Sequence, residues 1–191
     1  MFEFLLYSRT GRTDGDFFSL REGGRLDVVY QCILMALFRS HALRRDIAFH
    51  AILGGPPRPP LHLQIDGGTL RDARTDEKTW EGILRKVLEG KTHPGITLNK
   101  ESLQKLVRRK HQKGYRIFVL EEGGKSIFDL SFSEPALFVL GDQVGLPRKE
   151  EKFALRYGEK ISLGKQRYLS ASCIDIINFF LDIQGLEKKK E

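Results

Sequence analysis

Ala136-Leu137-Phe138-Val139-Leu140-Gly141-Asp142 holds five apolar residues in a row that stop abruptly at a glycine and an acid. So clean a break fits a strand buried on both faces and ending at a ligand-binding edge better than it fits a helix. After a loop marked by Gly145 and Pro147 and a charged segment, Lys160-Ile161-Ser162-Leu163 reads as a second short strand, ended by Gly164. In an open parallel sheet, ligands bind outside the carboxyl ends of the strands, and glycines there let the backbone approach closely. Tyr168-Leu169-Ser170-Ala171-Ser172-Cys173 then leads into a helix over Ile174 to Ile183, with a serine suited to its N-cap.

Outward from that stretch, strands and helices alternate, which predicts a mainly parallel α/β sheet flanked by helices. Phe2 to Tyr7 and Ile47 to Leu53 read as strands, and Leu61 to Ile65 alternates as a half-buried strand does. Tyr115 to Leu120 reads as another, followed by a turn over Glu121 to Gly124. Helical spacing runs from Leu26 to Phe38, from Thr75 to Glu89 with Thr75 as N-cap, and from Ser102 to Lys113 with Gly114 just beyond. The helix over Ile174 to Ile183 has hardly any polar face, so it is either internal or covered by a second copy.

At 191 residues the prior is one domain over 1–191, large enough to bury about 70% of the unfolded chain's surface without staples. Cys32 and Cys173 lie far apart and read as reduced thiols of a cytoplasmic protein. The longest apolar-rich run, Val28 to Phe38, falls well short of the ~20 residues that cross a bilayer, so no membrane association is expected. A net charge of +7 and a pI near 9.5 favour a polyanionic partner, because neutralising phosphates releases counterions. Lys188-Lys189-Lys190 reads as a solvated tail; Arg44, Arg45, Arg108, Arg109 and Lys110 are better placed to hold phosphates.

Gly124-Lys125-Ser126 has the ending of a phosphate-binding loop, but Val119 stands where that motif needs a glycine, so a tight turn is the better reading. There is no GxGxxG, CxxC pair or HExxH, and the five histidines lack ligand spacing, so no metal is expected.

The order of strand-Gly-Asp, long loop, Ile161-Ser162-Leu163-Gly164, and a loop carrying Ser170-Ala171-Ser172-Cys173 into an apolar helix resembles the carboxyl-terminal half of the SPOUT class of RNA methyltransferases. Within that class, Gly24-Arg25-Leu26-Asp27, Ser40 to Asp46, Gly55-Pro56-Pro57 and Pro94-Gly95-Ile96 extend the resemblance to the TrmY family, the tRNA pseudouridine-54 N1-methyltransferases. The resemblance implies an S-adenosyl-L-methionine pocket in a carboxyl-terminal trefoil knot, a homodimer, and tRNA as partner. It places Leu130, Gly141, Ile161, Ser162, Leu163, Gly164, Tyr168, Leu169 and Cys173 around the cofactor, with Arg25, Asp27 and Asp46 near the acceptor base. Two features depart from the family pattern: Gln143 follows Gly141-Asp142 where a histidine is common, and the interior of the Ser40 to Asp46 motif is altered.

Such a reaction is an in-line displacement, so the protein need supply no nucleophile and positioning dominates. The N1 of pseudouridine is largely protonated at neutral pH, and a carboxylate that takes the proton, or a cation near the ring oxygens that stabilises the resulting anion, would help. Arg45 and Asp46 suit an ordinary ion pair equally well. Cys173 is expected to line the pocket, because no covalent intermediate is needed. Open alternatives are an rRNA methyltransferase and a non-catalytic RNA-binding module.

Overall fold

The computed structural model describes residues 1–132 and 135–187; the lysine tail over Lys188 to Lys190 lies outside them. Its main sheet has seven strands: β1 (Phe2–Ser8), β4 (Ile47–Leu53), β5 (Leu61–Asp66), β6 (Ile96–Asn99), β7 (Arg116–Ser126), β8 (Ala136–Gly141) and β9 (Gly158–Ser162). The order across it is β6-β5-β4-β1-β8-β7-β9. From β4 to β9 every pairing is parallel, and β5 and β6 extend one edge antiparallel. A two-stranded hairpin of β2 (Phe38–Arg39) and β3 (Ala42–Leu43), turning at His41 with φ 60°, stands apart.

The opening heptapeptide is β8, paired to β1 on one side and to β7 on the other, with its five apolar residues buried. Successive side chains of a strand point to opposite faces. Phe4, Leu6 and Phe138 accordingly join the core beneath α1 (Leu26–Leu37), α2 (Glu77–Leu88) and α5 (Ser170–Glu187). Leu5, Leu137 and Val139 join a second core under α3 (Leu103–Gln112) and α4 (Arg148–Ala154). A continuous apolar run is what two covered faces require.

Several expectations change in detail. Asp76, not Thr75, caps α2, accepting the Thr79 backbone N–H at 2.9 Å, while the Thr75 carbonyl accepts the Tyr30 hydroxyl. The expected turn over Glu121 to Gly124 is instead a bulge inside β7, whose pairing with β9 resumes at Lys125. Gly124 is needed there because a Cβ would sit 2.5 Å from the Ile161 backbone. The charged segment after Pro147 is helix α4, too short and with too few buried positions to show a period. The last helix begins at Ser170, a turn earlier than expected, and Asn178 ties it to α1 by donating to the Met35 carbonyl at 2.8 Å. That carbonyl belongs to the last turn of α1, where no intrahelical partner remains.

A polar chain is buried between the sheet and α3. Glu3 on β1 accepts from His50 Nε2 at 2.8 Å and from the Tyr115 hydroxyl at 2.8 Å, and the Lys110 ammonium is ion-paired to it. His50 Nδ1 lies 2.9 Å from His62 Nε2, and His62 Nδ1 lies 3.0 Å from Glu101, itself held by Arg109. Burial opposes the ionised Glu3, but His50 and Lys110 together outweigh it and hold its carboxyl at about 2. Burial lowers the basicity of both imidazoles, and the neighbouring His50 helps bring His62 to about 4.

The folded state therefore binds fewer protons than the unfolded chain as pH falls from about 6.5 to about 4, so stability should drop across that window. His62 alone contributes on the order of 3 kcal/mol to that loss. Glu3, whose folded pKa is depressed, stabilises above about 4.5 and loses its contribution as pH falls further toward about 2. Unfolding midpoints measured from pH 7.5 to 4 check this, and His62→Gln should flatten the upper part of the curve. A wild-type midpoint independent of pH over that range would refute the account.

Candidate functional site

The parallel strands β1, β8, β7 and β9 finish on one edge of the sheet, and a cleft of about 380 Å³ opens there. Its walls come from the end of β8 and its loop to Leu146, the bulge of β7 at Leu120 to Glu122, the segment after β9, and the first turn of α5.

Gly141 makes the corner possible. A Cβ there would lie 2.1 Å from the Leu146 amide nitrogen, because the loop after β8 folds back onto the strand end. Asp142 fastens that fold: its carboxylate accepts the Arg9 N–H at 2.7 Å and the Val144 N–H at 3.0 Å. The Gly141 carbonyl accepts the Ser170 hydroxyl at 2.7 Å, which brings α5 to the cleft. On the other wall Gly164, at φ 121°, occupies a conformation that favours glycine, and its N–H donates to Ser162 Oγ at 3.1 Å. Gly141 thus accommodates the chain's own backbone, whereas a Cβ on Gly164 would meet open space.

Of the residues expected around a cofactor, Gly141, Ser162, Leu163, Gly164, Tyr168, Leu169 and Cys173 line the cleft. Leu130 and Ile161 do not. Ile161 is wholly buried in the core, and Leu130 packs against that core with its carbonyl accepting from Gln184 Nε2. Burial pushes the Cys173 thiol up to about 11, so it lines the wall as a neutral sulfur.

Three further carboxylates line the cleft. Asp142 is taken up by backbone amides, and Glu122 is ion-paired to Arg167. Glu121 has neither a hydrogen bond nor an ion pair among the described residues, and burial, aided by the charge of Glu151, raises its pKa. Lys160 offsets this only through space, so no cation among the described residues contacts the carboxylate directly, and a half-buried group of this kind suits a ligand that carries positive charge. This group was missed because the sequence reads Glu121 as part of an exposed turn; the bulge in β7 turns it into a wall.

The residues expected near the substrate are divided by the sheet. Arg25, in the left-handed conformation at φ 67°, precedes α1 and grips Asp27 through Nε at 2.9 Å and Nη2 at 3.1 Å. The pair stands at the carboxyl edge, where Thr10 Oγ1 donates to the Gly24 carbonyl and Arg25 feels the charge of Asp142. Asp46 instead precedes the first residue of β4, at the opposite edge. Seven strand residues at about 3.3 Å each put it roughly 20 Å from the cleft within one chain.

The cations expected to hold phosphates are largely occupied. Arg44 forms two 2.7 Å bonds with Asp182, Arg45 donates to the carbonyls of Gly67 and Leu70, and Arg109 is bidentate on Glu101. Arg108 lies over the Phe153 ring. Lys110 is buried against Glu3, so it is a structural counter-ion and not a surface phosphate ligand. Among the described residues no group of His, Cys, Asp or Glu could hold a metal, and no helix is long and apolar enough to cross a membrane.

A mainly parallel sheet with its cleft at the carboxyl edge, walled by a glycine corner and a late helix, is where an α/β fold binds its ligand, and comparison with known proteins gives the class. A family model described as "Putative SAM-dependent RNA methyltransferase" matches residues 1–186, and the chain belongs to that family. It is 33% identical to the tRNA (pseudouridine(54)-N(1))-methyltransferase of Methanococcus maripaludis strain C5, over 95% of this chain and 98% of that protein. The enzymes of the same name from Thermococcus kodakarensis and Methanopyrus kandleri are 30% and 32% identical, covering 94% and 96% of this chain and 98% and 94% of theirs. In fold it is similar to Archaeoglobus fulgidus Nep1, crystallised with S-adenosylhomocysteine, at a TM-score of 0.70 and 14% identity over 97% of this chain and 98% of that one.

Gly141→Ala is expected to destabilise the protein by about 1–3 kcal/mol through overpacking against Leu146, and to weaken S-adenosyl-L-methionine binding at least tenfold. Calorimetry checks this. Undiminished binding would place the ligand elsewhere.

Proposed function

We propose that this protein transfers a methyl group from S-adenosyl-L-methionine to N1 of pseudouridine 54 in the TΨC loop of tRNA, acting in the cytoplasm as a homodimer. The observation that carries this reading is the cleft itself: seven of the nine residues expected to hold the cofactor converge on it from β8, β9 and α5. Relatives of that named activity match along nearly the whole chain.

The residues present fit the cofactor. A cleft of about 380 Å³ lies within the range of small-molecule sites, and the Glu121 carboxylate, which has no direct ion pair among the described residues, answers a cationic ligand. Backbone groups of Gly141 and of Ser162 to Gly164 would hold it, with Tyr168, Leu169 and Cys173 supplying apolar contact. When bound it supplies a methyl group on a sulfonium, already activated for displacement. Asp27 takes the N1 proton of the base, and Arg25 beside it offsets charge on the ring oxygens. The base must leave its stack to reach these groups.

The dimer reading is supported by α5, where Phe179 is 65% exposed and Ile183 also faces solvent in the single chain. A second copy laid on this face would cover both, and would be the route by which Asp46 meets a cleft other than its own. The path from edge strand β9 back to α1 through α5 is compatible with a trefoil knot.

Nucleosides of tRNA and rRNA from a deletion strain, compared by mass spectrometry, test the substrate: methylated pseudouridine should vanish from tRNA, and loss from rRNA alone would overturn the assignment. Asp27→Asn should lower kcat by about 10²-fold while leaving cofactor affinity unchanged. No heat on titration with S-adenosyl-L-methionine would overturn the enzyme reading altogether.

A further inference from the structure

Three exposed cations stand on the cleft's own edge of the sheet, and sequence reasoning pointed to none of them. Arg9 follows β1, Arg58 lies in the loop between β4 and β5, and Lys100 follows β6. Because β4 and β6 both pair antiparallel with β5, β6 ends on the same edge as β4 and β1.

The loop carrying Arg58 is held from several directions. The Gly55 N–H donates to the Gly11 carbonyl at 2.9 Å, and the Thr13 N–H donates to the Pro56 carbonyl at 2.8 Å. Thr13, fully buried, accepts the Arg58 N–H on its hydroxyl at 2.7 Å. Lys100 Nζ closes the loop from the far side, donating to the carbonyls of Arg58 and Pro59 at 2.7 and 2.8 Å. A proline-rich segment fixed this way presents its guanidinium with little conformational freedom left to lose on binding.

None of the three is ion-paired to a carboxylate among the described residues. The Arg58 guanidinium donates once, to the Thr13 carbonyl at 3.2 Å, and Arg9 reaches only the Gly145 carbonyl at 3.5 Å. Lys100 keeps one of its three N–H donors. The contrast is with Arg44, Arg109 and Lys110, each consumed by a carboxylate.

We propose that the RNA strand whose base enters the cleft is docked along this edge, its phosphates held by Lys100, Arg58 and Arg9. The inference rests on the methyltransferase reading for its ligand but not for its test. From β6 to β1 is three inter-strand steps, roughly 14 Å at about 4.8 Å each, which spans more than one phosphate of a single strand. The row leads toward Asp142, whose carboxylate binds the Arg9 backbone at the lip of the cleft.

Binding of an unmodified tRNA transcript, measured against salt concentration, tests this. Arg58→Glu with Lys100→Glu should weaken binding at least tenfold and reduce the slope of log K against log salt by about 1.5 to 2, with affinity for S-adenosyl-L-methionine unchanged. The milder Arg58→Gln with Lys100→Gln, which removes both charges without setting a carboxylate against the loop carbonyls, should still reduce the slope by more than 1. Unchanged affinity and slope in the glutamine pair overturns the proposal, as does loss of binding that follows Lys105→Gln and Arg108→Gln on α3 instead. Because the readout is RNA binding and not methyl transfer, an absence of methylated product would count against the function proposed above without touching this result.

Discussion

The parallel pairing of β8 between β1 and β7 is the constraint from which the rest of the molecule follows. Parallel neighbours cannot be joined by a tight turn, so each connection must cross a face of the sheet, and the crossings supply the covering layers. Helix α1 covers one face between β1 and β4, α3 covers the other on the way to β7, and α4 links β8 to β9. The same alignment, with β6 running alongside β4 across antiparallel β5, brings the carboxyl ends of six strands to one edge. The cleft, the Arg25–Asp27 pair and the cation row all sit there because the strands run one way.

Charge is handled differently in two parts of the protein. Between the sheet and α3, Glu3, His50, His62, Glu101, Arg109 and Lys110 answer one another in a closed chain, as burial demands. In the cleft, Asp142 is held by backbone amides and Glu122 by Arg167, whereas Glu121 is offset only through space by Lys160. A polar cluster whose members pair with one another differs physically from a cleft wall that leaves one carboxylate without a direct partner.

Much of the fold was legible because apolar period and burial coincide. The run over Ala136 to Leu140 reads as a doubly buried strand, and the capped stripe over Ser102 to Lys113 reads as α3 with Gly114 at φ 82° after it. What escaped had too few residues to carry a period: β2 and β3 have two residues each, β6 has four, and α4 has seven. In the site, the glycine corners and the loop into α5 were readable from their order. The locations of charged groups were not, because whether an arginine is free depends on partners that fall outside any regular spacing, eight residues away for Arg109 and 138 for Arg44. Arg44 is neutralised by Asp182 and Arg109 by Glu101, and nothing local to either arginine announces it. The sequence also carries no sign of which sheet edge Asp46 occupies until the direction of β4 is known.

The pairing of Phe2 with Ala136 joins residues 134 positions apart. A ribosome makes β1 first and β8 long afterwards, so throughout synthesis one side of the amino-terminal strand has no neighbour and its backbone amides must wait. The cleft, whose walls include Gly141, Gly164 and Ser170, cannot form until the segment reaching α5 has been made. Contacts this remote also make for slow assembly, since the loop must close before any of its reward is felt. A product truncated before α5 would therefore carry all seven strands of the sheet but lack one wall of the cleft.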